Sequence, residues 1–364
     1  MNRFVVSLGV VILAVACVGP SLIAQEEQSR EERREQRRAE QLAATLERFP
    51  ASDANNDGTL SVEEYRAFQR NRQPNQRNRP NRQAATPTHA NVAYGEHPKQ
   101  RFDLWLAKRD DGKPTPLCIY IHGGGFSGGD KRVQAGTPDV YLQKGISFAS
   151  MNYRLSEDGK HPYPTAMQDA ARGLQFIRSK AGEWNIDADR VVCYGGSAGA
   201  GISLWLGFHD DLAKPESDDP IARQSTRILA AGTNDGQSTY DHRTYREWFG
   251  VPDLEPHPAL VDFYAVKENE DWQSDRVAKL MTDASAITHL TKDDVPVYMT
   301  YNRGDVPVTS DTNAGVWVHH VRLGLKLQER MRELGLECVV VSPDRPEERY
   351  GDLPTFLIEK LKAE

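Results

Sequence analysis

A serine flanked by glycines lies between an apolar segment and a run of small residues. The segment 195–199 reads Gly-Gly-Ser-Ala-Gly; it follows the apolar residues 191–194 and precedes a predicted helix rich in small residues. A strand that turns this sharply into a helix leaves space only for glycine beside the serine, and the turn lifts the hydroxyl above the edge of the sheet. The pattern therefore predicts that Ser197 is a nucleophile.

A second glycine-rich segment strengthens this prediction. The predicted strand 117–121 is followed by His-Gly-Gly-Gly at 122–125, about 75 residues before Ser197. Such glycines let backbone N–H groups turn inward and stabilise an oxyanion, which removes ~3 kcal/mol or more of the reaction barrier per donor. The two segments in this order are more specific than either one alone, and together they predict a serine hydrolase.

From about residue 92, predicted strands alternate with predicted helices. The strands are expected at 102–106, 117–121, 146–154, 191–194, 228–231, 295–301 and 337–341, and helices at 165–181 and 323–334. This alternation favours a mostly parallel sheet covered by helices on both faces. Residues 234–294 lack the alternation and are rich in Trp, Tyr, Pro and charge. We expect them to form a cap-like insertion over the catalytic edge, where it could shape a substrate cleft.

The glycine loop, the serine turn and the order of the elements resemble the α/β-hydrolase family. The similarity is to the branch of hormone-sensitive-lipase-like esterases and bacterial acetylxylan and feruloyl esterases, and it covers the part of the chain with alternating elements. The resemblance implies an α/β-hydrolase fold with Ser197 as the nucleophile. It also implies an oxyanion hole made by the N–H groups of Gly124, Gly125 and Ala198, with His122 holding the glycine loop.

The same resemblance implies a serine, an acid and a histidine in that order along the chain. Asp305 lies in a loop after the predicted strand 295–301, where the family places its acid. The loop after the last predicted strand, 342–352, contains no histidine, although the family places its base there. Two interpretations stay open. Either His319 or His320 replaces the base, with His320 slightly preferred, or the protein has lost efficient turnover.

Residues 1–24 have the pattern of a signal peptide. A positively charged start precedes an apolar run from Phe4 to Val18, and cleavage after Ala24 fits this pattern. The run is too short to span a bilayer comfortably, so no membrane span is expected in the mature chain. Lipidation of Cys17 is disfavoured because Ala14 stands where a lipobox prefers a larger aliphatic residue. We expect a secreted or periplasmic protein, and its net charge of −7 argues against nucleic acid as the main partner.

A short segment after this leader matches an EF-hand calcium loop, with oxygen-bearing side chains at loop positions 1, 3, 5, 9 and 12 and glycine at position 6. The predicted Ca²⁺ ligands are Asp53, Asn55, Asp57, the Thr59 carbonyl, Ser61 through water, and Glu64. We expect a small helical EF-hand module at 25–70, a disordered linker at 71–90 and the hydrolase domain at 91–364. The sequence contains no second such loop, so either the calcium affinity is modest or a second copy of the chain supplies the partner loop by calcium-dependent self-association.

These observations predict an exported serine carboxylic-ester hydrolase that acts through an acyl-enzyme. Calcium is not expected to enter the chemistry. The resemblance implies short acyl or aromatic esters of polysaccharides as substrates. The alternative is a catalytically impaired protein of hydrolase fold that binds glycans or a surface and carries a calcium-binding EF-hand.

Overall fold

The computed structural model describes residues 85–156 and 159–363, and from the N-terminal part residues 46, 53, 55, 57–61 and 64. Contacts divide the chain into two units, Met1–Arg82 and Gln83–Glu364. The predicted signal peptide, most of the predicted linker and the predicted helices around the EF-hand loop lie outside the described residues. Within the described residues, no helix has the length and apolar character needed to cross a membrane.

A mostly parallel sheet forms the centre of the second unit. Its strands are β1 (His89–Ala93), β2 (Arg101–Trp105), β3 (Thr115–Ile121), β4 (Ser147–Met151), β5 (Ile186–Gly196), β6 (Ala231–Asn234), β7 (Val297–Thr300) and β8 (Cys338–Val341). Their order in the sheet is β1-β2-β4-β3-β5-β6-β7-β8. β2 pairs antiparallel with both of its neighbours, and every pair from β4 to β8 is parallel. The predicted sheet is thus confirmed, and its first strand begins within the segment that the sequence assigns to the linker.

Helices connect these strands and pack on both faces of the sheet. They are α1 (Thr137–Leu142), α2 (Thr165–Ser179), α3 (Ala181–Trp184), α4 (Ala198–Phe208), α5 (His242–Phe249), α6 (Ala259–Phe263), α7 (Asp275–Ala284), α8 (Ala314–Trp317), α9 (Val321–Glu333) and α10 (Leu353–Lys362). Short 3₁₀-helices cover Asn269–Gln273 and Ala286–Thr288. The helices α5, α6 and α7 belong to the predicted insertion between β6 and β7.

Strand β5 shows how the sheet divides the apolar core into two layers. Successive side chains of a strand point to opposite faces. Val191 and Cys193 accordingly pack in the layer with α2, α4 and α9, whereas Val192 and Tyr194 pack in the layer with α1 and α10. Because both faces are covered, the strand is a nearly continuous apolar run. This run ends at the serine turn.

A third apolar cluster joins the insertion to the segment before α9. Tyr245 and Phe249 of α5 pack with Trp317, Val318 and Leu323. The rings of Tyr245 and Trp317 lie edge to face with their centroids 5.0 Å apart. This packing holds the short segment between α8 and α9, which carries the two consecutive histidines.

Candidate active site

The turn at Ser197 places the serine in a strained backbone conformation. Ser197 is the N-cap of α4 and has φ 49° and ψ −118°, a region that non-glycine residues rarely adopt and that costs about 1–3 kcal/mol. Its N–H donates to the carbonyl of Asn234 at 2.9 Å, and its carbonyl accepts from the N–H of Gly201 at 3.1 Å. The end of β6 and the first turn of α4 thus hold the strained serine in place.

The glycines on either side of this serine are required by close backbone contacts. A Cβ at Gly195 would lie 2.3 Å from the carbonyl carbon of Gly199. A Cβ at Gly199 would lie 2.1 Å from the carbonyl oxygen of Ile121, at the end of β3. Real Cβ contacts essentially never come this close, so any other residue would push α4 away from the sheet. The spacing of the glycines therefore follows from the packing of the helix start against β3.

His319 is the histidine that contacts the candidate nucleophile. Its Nε2 lies 2.8 Å from Oγ of Ser197, and its Nδ1 lies 3.0 Å from the carbonyl oxygen of Gly315. A carbonyl oxygen only accepts, so Nδ1 carries the proton and donates it to this bond. Nε2 then has the lone pair and accepts the hydrogen bond from the serine hydroxyl, which is the geometry that a general base requires.

His320, the slightly preferred candidate from sequence, lies in a different environment. Its side chain is buried and caps α9, because its Nδ1 accepts the N–H of Arg322 at 3.1 Å. Its Nε2 donates to the carbonyl of Val306 at 2.8 Å. Both ring nitrogens are occupied away from the serine, and burial lowers the pKa of this histidine. The structure therefore gives His320 a capping position and brings His319 to Ser197.

Asp305 is not brought to His319. Its carboxylate accepts a hydrogen bond from Nη2 of Arg322 at 2.7 Å and lies 3.7 Å from Nε2 of His320. Among the residues that the structure describes, the hydrogen-bond partners of the His319 ring are Ser197 and the Gly315 carbonyl. A neutral carbonyl thus stands where the predicted triad has a carboxylate.

The predicted oxyanion donors lie together beside the serine. Gly124 and Gly125 have φ of 120° and 58°, and the Gly124 carbonyl accepts from the N–H groups of Ser127 and Gly128 at 3.1 and 3.0 Å. The loop therefore turns back on itself. Within the described part of the chain, the N–H groups of Gly124, Gly125 and Ala198 make no hydrogen bonds. Ala198 is also the first residue of α4, where the helix dipole favours negative charge.

His122 packs against the glycine loop and supports it. Its Nδ1 lies 2.7 Å from the Gly123 carbonyl, and its ring stacks on that of Tyr153 with centroids 4.4 Å apart. The Tyr153 hydroxyl also donates to the His122 carbonyl at 3.0 Å. Burial lowers the pKa of His122 and so favours its neutral form. The side chain thus positions the loop and does not contact the serine.

A cavity of about 320 Å³ opens in front of Ser197. Its walls are mainly apolar and come largely from the insertion and the glycine loop: Phe126, Tyr240, Tyr245, Leu260 and Val318. His257 also lines it and accepts the N–H of Ala259 on Nδ1 at 3.1 Å, so its proton is on Nε2. The pKa of His257 is lowered mainly by burial and to a smaller extent by the nearby His319. The sequence singled out neither these wall residues nor His257, whose only distinctive signal is its place between two prolines of the insertion.

The described residues of the EF-hand-like loop turn their carboxylates towards the loop backbone. The Asp53 carboxylate accepts the N–H of Gly58 at 2.9 Å, and Gly58 has φ 81°. The Glu64 carboxylate accepts the hydroxyl of Ser61 at 2.7 Å, and this bond is the main cause of its lowered pKa. The Thr59 hydroxyl lowers the pKa of Asp57 in the same way. The loop therefore offers charged oxygen donors on one short segment, a donor set that suits a hard cation.

Comparison with known proteins shows relatives among esterases. The probable carboxylic ester hydrolase LipM of Mycobacterium tuberculosis is 28% identical over 229 residues, which cover 60% of this chain and 48% of LipM. The probable isoprenylcysteine alpha-carbonyl methylesterase ICMEL1 of Arabidopsis thaliana is 27% identical over 139 residues, which cover 38% of this chain and 29% of that protein. The matched regions span less than half the length of these two curated relatives.

A solved structure and a family model extend the comparison. The truncated form of a carbohydrate esterase from gut microbiota superposes with a TM-score of 0.59 at 17% identity, covering 78% of this chain and 99% of that one, which shows a shared fold. The α/β-hydrolase fold implied by the sequence is thereby confirmed. The family model described as BD-FAE matches residues 102–314. Because this match covers more than half of the chain, the chain belongs to the BD-FAE family.

Proposed function

We propose that this protein is a serine carboxylic-ester hydrolase that acts through an acyl-enzyme. The observation that carries the proposal is the 2.8 Å contact between Oγ of Ser197 and Nε2 of His319. The same cavity is lined by Gly124, Gly125 and Ala198, whose N–H groups make no hydrogen bond to the described residues. The esterase relatives support the same reaction class. The missing C-terminal histidine, which favoured an impaired enzyme, has a candidate replacement in His319.

The first half of the reaction forms the acyl-enzyme. Oγ of Ser197 attacks the ester carbonyl carbon while Nε2 of His319 takes the hydroxyl proton. The negative charge on the carbonyl oxygen is stabilised by the N–H groups of Gly124, Gly125 and Ala198. Collapse of the tetrahedral intermediate breaks the bond to the alcohol oxygen, and His319 returns the proton to this leaving group.

Water completes the cycle. His319 takes a proton from water, the resulting hydroxide attacks the acyl carbon, and the bond to Ser197 breaks with return of the proton to Oγ. The Gly315 carbonyl accepts the Nδ1 hydrogen throughout and thus fixes the ring orientation and the tautomer. A neutral carbonyl stabilises the protonated imidazole less than a carboxylate does, because it carries no full charge.

The cavity and the relatives support the choice of substrate class. A volume of about 320 Å³ with mainly apolar walls suits a short acyl chain or a single aromatic acyl group. The fold is shared with a carbohydrate esterase from gut microbiota and with an acetyl ester-xyloside bifunctional hydrolase from Caldicellulosiruptor lactoaceticus. We therefore propose short-acyl or aromatic esters of polysaccharides as substrates.

The test compares hydrolysis of p-nitrophenyl acetate by the wild-type protein and by Ser197→Ala. The proposal predicts turnover in the wild-type protein and, in the variant, a fall to a weak residual rate that stays only slightly above the rate in buffer. Equal rates in both proteins would refute the esterase proposal and favour the glycan-binding alternative. Release of acetate or ferulate from acylated xylan, measured with the same pair of proteins, then tests the polysaccharide part.

We also propose that the loop at 53–64 binds Ca²⁺. Asp53, Asn55, Asp57, Glu64, the Thr59 carbonyl and, through water, Ser61 would hold the ion, which would order the loop and supply no chemistry to the ester site. Calorimetric titration with CaCl₂ should show saturable binding, and the Glu64→Gln substitution should weaken it. Ester hydrolysis should be the same with and without calcium. Mass measurement with calcium and with chelator tests self-association. Unchanged calcium binding in Glu64→Gln would contradict the assignment.

A further inference from the structure

Three potential metal ligands meet at the end of α4 that lies away from the serine. His209 directly follows the last residue of α4, Asp283 lies on α7, and His289 follows the 3₁₀-helix Ala286–Thr288. One donor atom from each side chain lies within 4.8 Å of the other two. Among the described residues, no other three His, Cys, Asp or Glu side chains come together in this way.

His209 already presents a lone pair. Its Nδ1 donates to the carbonyl of Asp210 at 3.0 Å, which leaves Nε2 unprotonated. The ring packs on Trp205 with centroids 4.1 Å apart and lies 4.7 Å from the ring of His289. A histidine whose second nitrogen donates to a backbone carbonyl is the usual arrangement of a metal ligand, because that bond sets both tautomer and orientation.

Asp283 and His289 are close enough to share an ion after a small movement. Nε2 of His289 lies 3.9 Å from Oδ1 of Asp283. Two ligand atoms on a tetrahedral Zn²⁺ with bonds of about 2.0–2.1 Å are roughly 3.4 Å apart. Oδ1 accepts no hydrogen bond from the described residues, whereas Oδ2 accepts the hydroxyl of Tyr163 at 2.7 Å, which fixes the carboxylate.

The present hydrogen bond of His289 can be released without leaving a buried group unpaired. Nε2 donates to the backbone carbonyl of Asp283 at 2.7 Å, but the same carbonyl also accepts from Nε1 of Trp205 at 3.3 Å. Metal binding through Nε2 moves the imidazole proton to Nδ1, so the ring stays neutral. The Asp283 side chain is 55% exposed and that of His289 21%, so solvent and an ion can reach both.

We propose that His209, Asp283 and His289 bind Zn²⁺, with water at the fourth position. Two imidazoles and one carboxylate favour zinc over calcium, which prefers oxygen ligands alone. The site lies roughly 16 Å from Ser197, the length of the 11-residue helix α4. At this distance the ion does not contact the ester group, and the site ties the end of α4 to α7 without taking part in ester hydrolysis.

The test is calorimetric titration of ZnCl₂ into tag-free full-length protein that is kept saturated with CaCl₂, so that the EF-hand-like loop is blocked. We expect a single saturable site and a higher melting temperature with zinc. His209→Gln and Asp283→Asn should each weaken zinc binding at least ~10-fold. Asp275→Asn, which removes a carboxylate from the same helix outside the cluster, is the matched control and should bind zinc like the wild-type protein.

His289→Gln removes the third ligand and replaces either of the other variants if one misfolds, and circular dichroism checks the fold of each. Absence of saturable zinc binding to the wild-type protein would overturn the proposal. Unchanged zinc affinity in both His209→Gln and His289→Gln would also overturn it. Zinc binding that inhibits ester hydrolysis and disappears in His319→Gln would place the ion at the catalytic histidine instead.

Discussion

The role of Asp305 gives the sharpest contrast between the structure and a complete Ser-His-Asp triad. Asp305→Asn removes the negative charge and keeps the shape of the side chain. In a triad whose acid orients the base, this substitution lowers kcat by ~10⁴-fold. Here the carboxylate contacts Arg322 at 2.7 Å, whereas Nδ1 of His319 is held by the Gly315 carbonyl at 3.0 Å. The structure therefore predicts a much smaller loss.

The size of that loss follows from the ion pair that is removed. The side chains of Arg322 and Asp305 are 30% and 40% exposed, and exposed pairs of this kind contribute about 0.2–1 kcal/mol to stability. If the whole of ~1 kcal/mol were lost in the transition state, kcat/KM would fall only ~5-fold. The expected range for Asp305→Asn is thus from no change to a loss of ~5-fold.

The assay is the kcat/KM for p-nitrophenyl acetate of Asp305→Asn beside the wild-type protein. Asp344→Asn is a suitable control because Asp344 accepts the N–H of Asp305 at 3.4 Å, so its loss perturbs the same loop. A loss of ~10³-fold or more in Asp305→Asn, with near wild-type activity in the control, would refute the reasoning. It would mean that the loop brings Asp305 to His319 during catalysis.

Three further predictions concern the elements around the site. Gly199→Ala places a Cβ 2.1 Å from the Ile121 carbonyl and should lower the free energy of unfolding in urea by about 1–3 kcal/mol or more, whereas Gly182→Ala, with no atom within 4 Å, should not. Tyr153→Phe leaves the His122 carbonyl without its 3.0 Å donor, so it should cost about 1–3 kcal/mol of stability and lower kcat more than it changes KM. Burial lowers the pKa of His320 from its usual value of 6.5, so the unfolded chain binds more protons than the folded one and stability should fall as the pH drops through 6.5. His320→Asn keeps a capping acceptor and should weaken this pH dependence; an unchanged slope would show that other groups cause it.

The nucleophile and its glycines could be predicted because their geometry is local. Only glycine fits the close approach of residue 199 to Ile121 and readily adopts the positive φ of residue 124. The glycines at these positions therefore indicate the geometry from the sequence alone. The sheet could be predicted for a similar reason, since strands buried on both faces are nearly continuous apolar runs. In both cases the residues next to one another in the sequence are enough to predict the local structure.

The base could not be assigned in this way because its position depends on distant packing. His319 and His320 are adjacent, and their roles separate only because one caps α9 while the apolar cluster around Tyr245 and Trp317 places the other near the serine. The predicted role of Asp305 rests on the order of residues in the family. That order contains no information about Arg322, which binds the carboxylate in the fold.

Strand β6 shows the same limit at the level of secondary structure. The apolar pattern predicts a strand at 228–231, but the structure has it at Ala231–Asn234. The observed strand contains Gly232, where a Cβ would lie 2.5 Å from the Leu353 side chain, followed by two polar residues. Gly232 is small enough to pack against α10. Contact with this C-terminal helix therefore places the strand at a segment whose composition does not suggest a strand.

The most direct test of the central claim is the rate at which a fluorophosphonate labels the protein, measured by intact mass. Oγ of Ser197 displaces fluoride from phosphorus with His319 as base, so the wild-type protein should gain one label and Ser197→Ala none. His319→Gln should react ~10²–10⁴-fold more slowly, whereas His320→Asn should react at the wild-type rate. Wild-type labelling of His319→Gln, or loss of labelling in a folded His320→Asn, would contradict the assignment of His319 as the base.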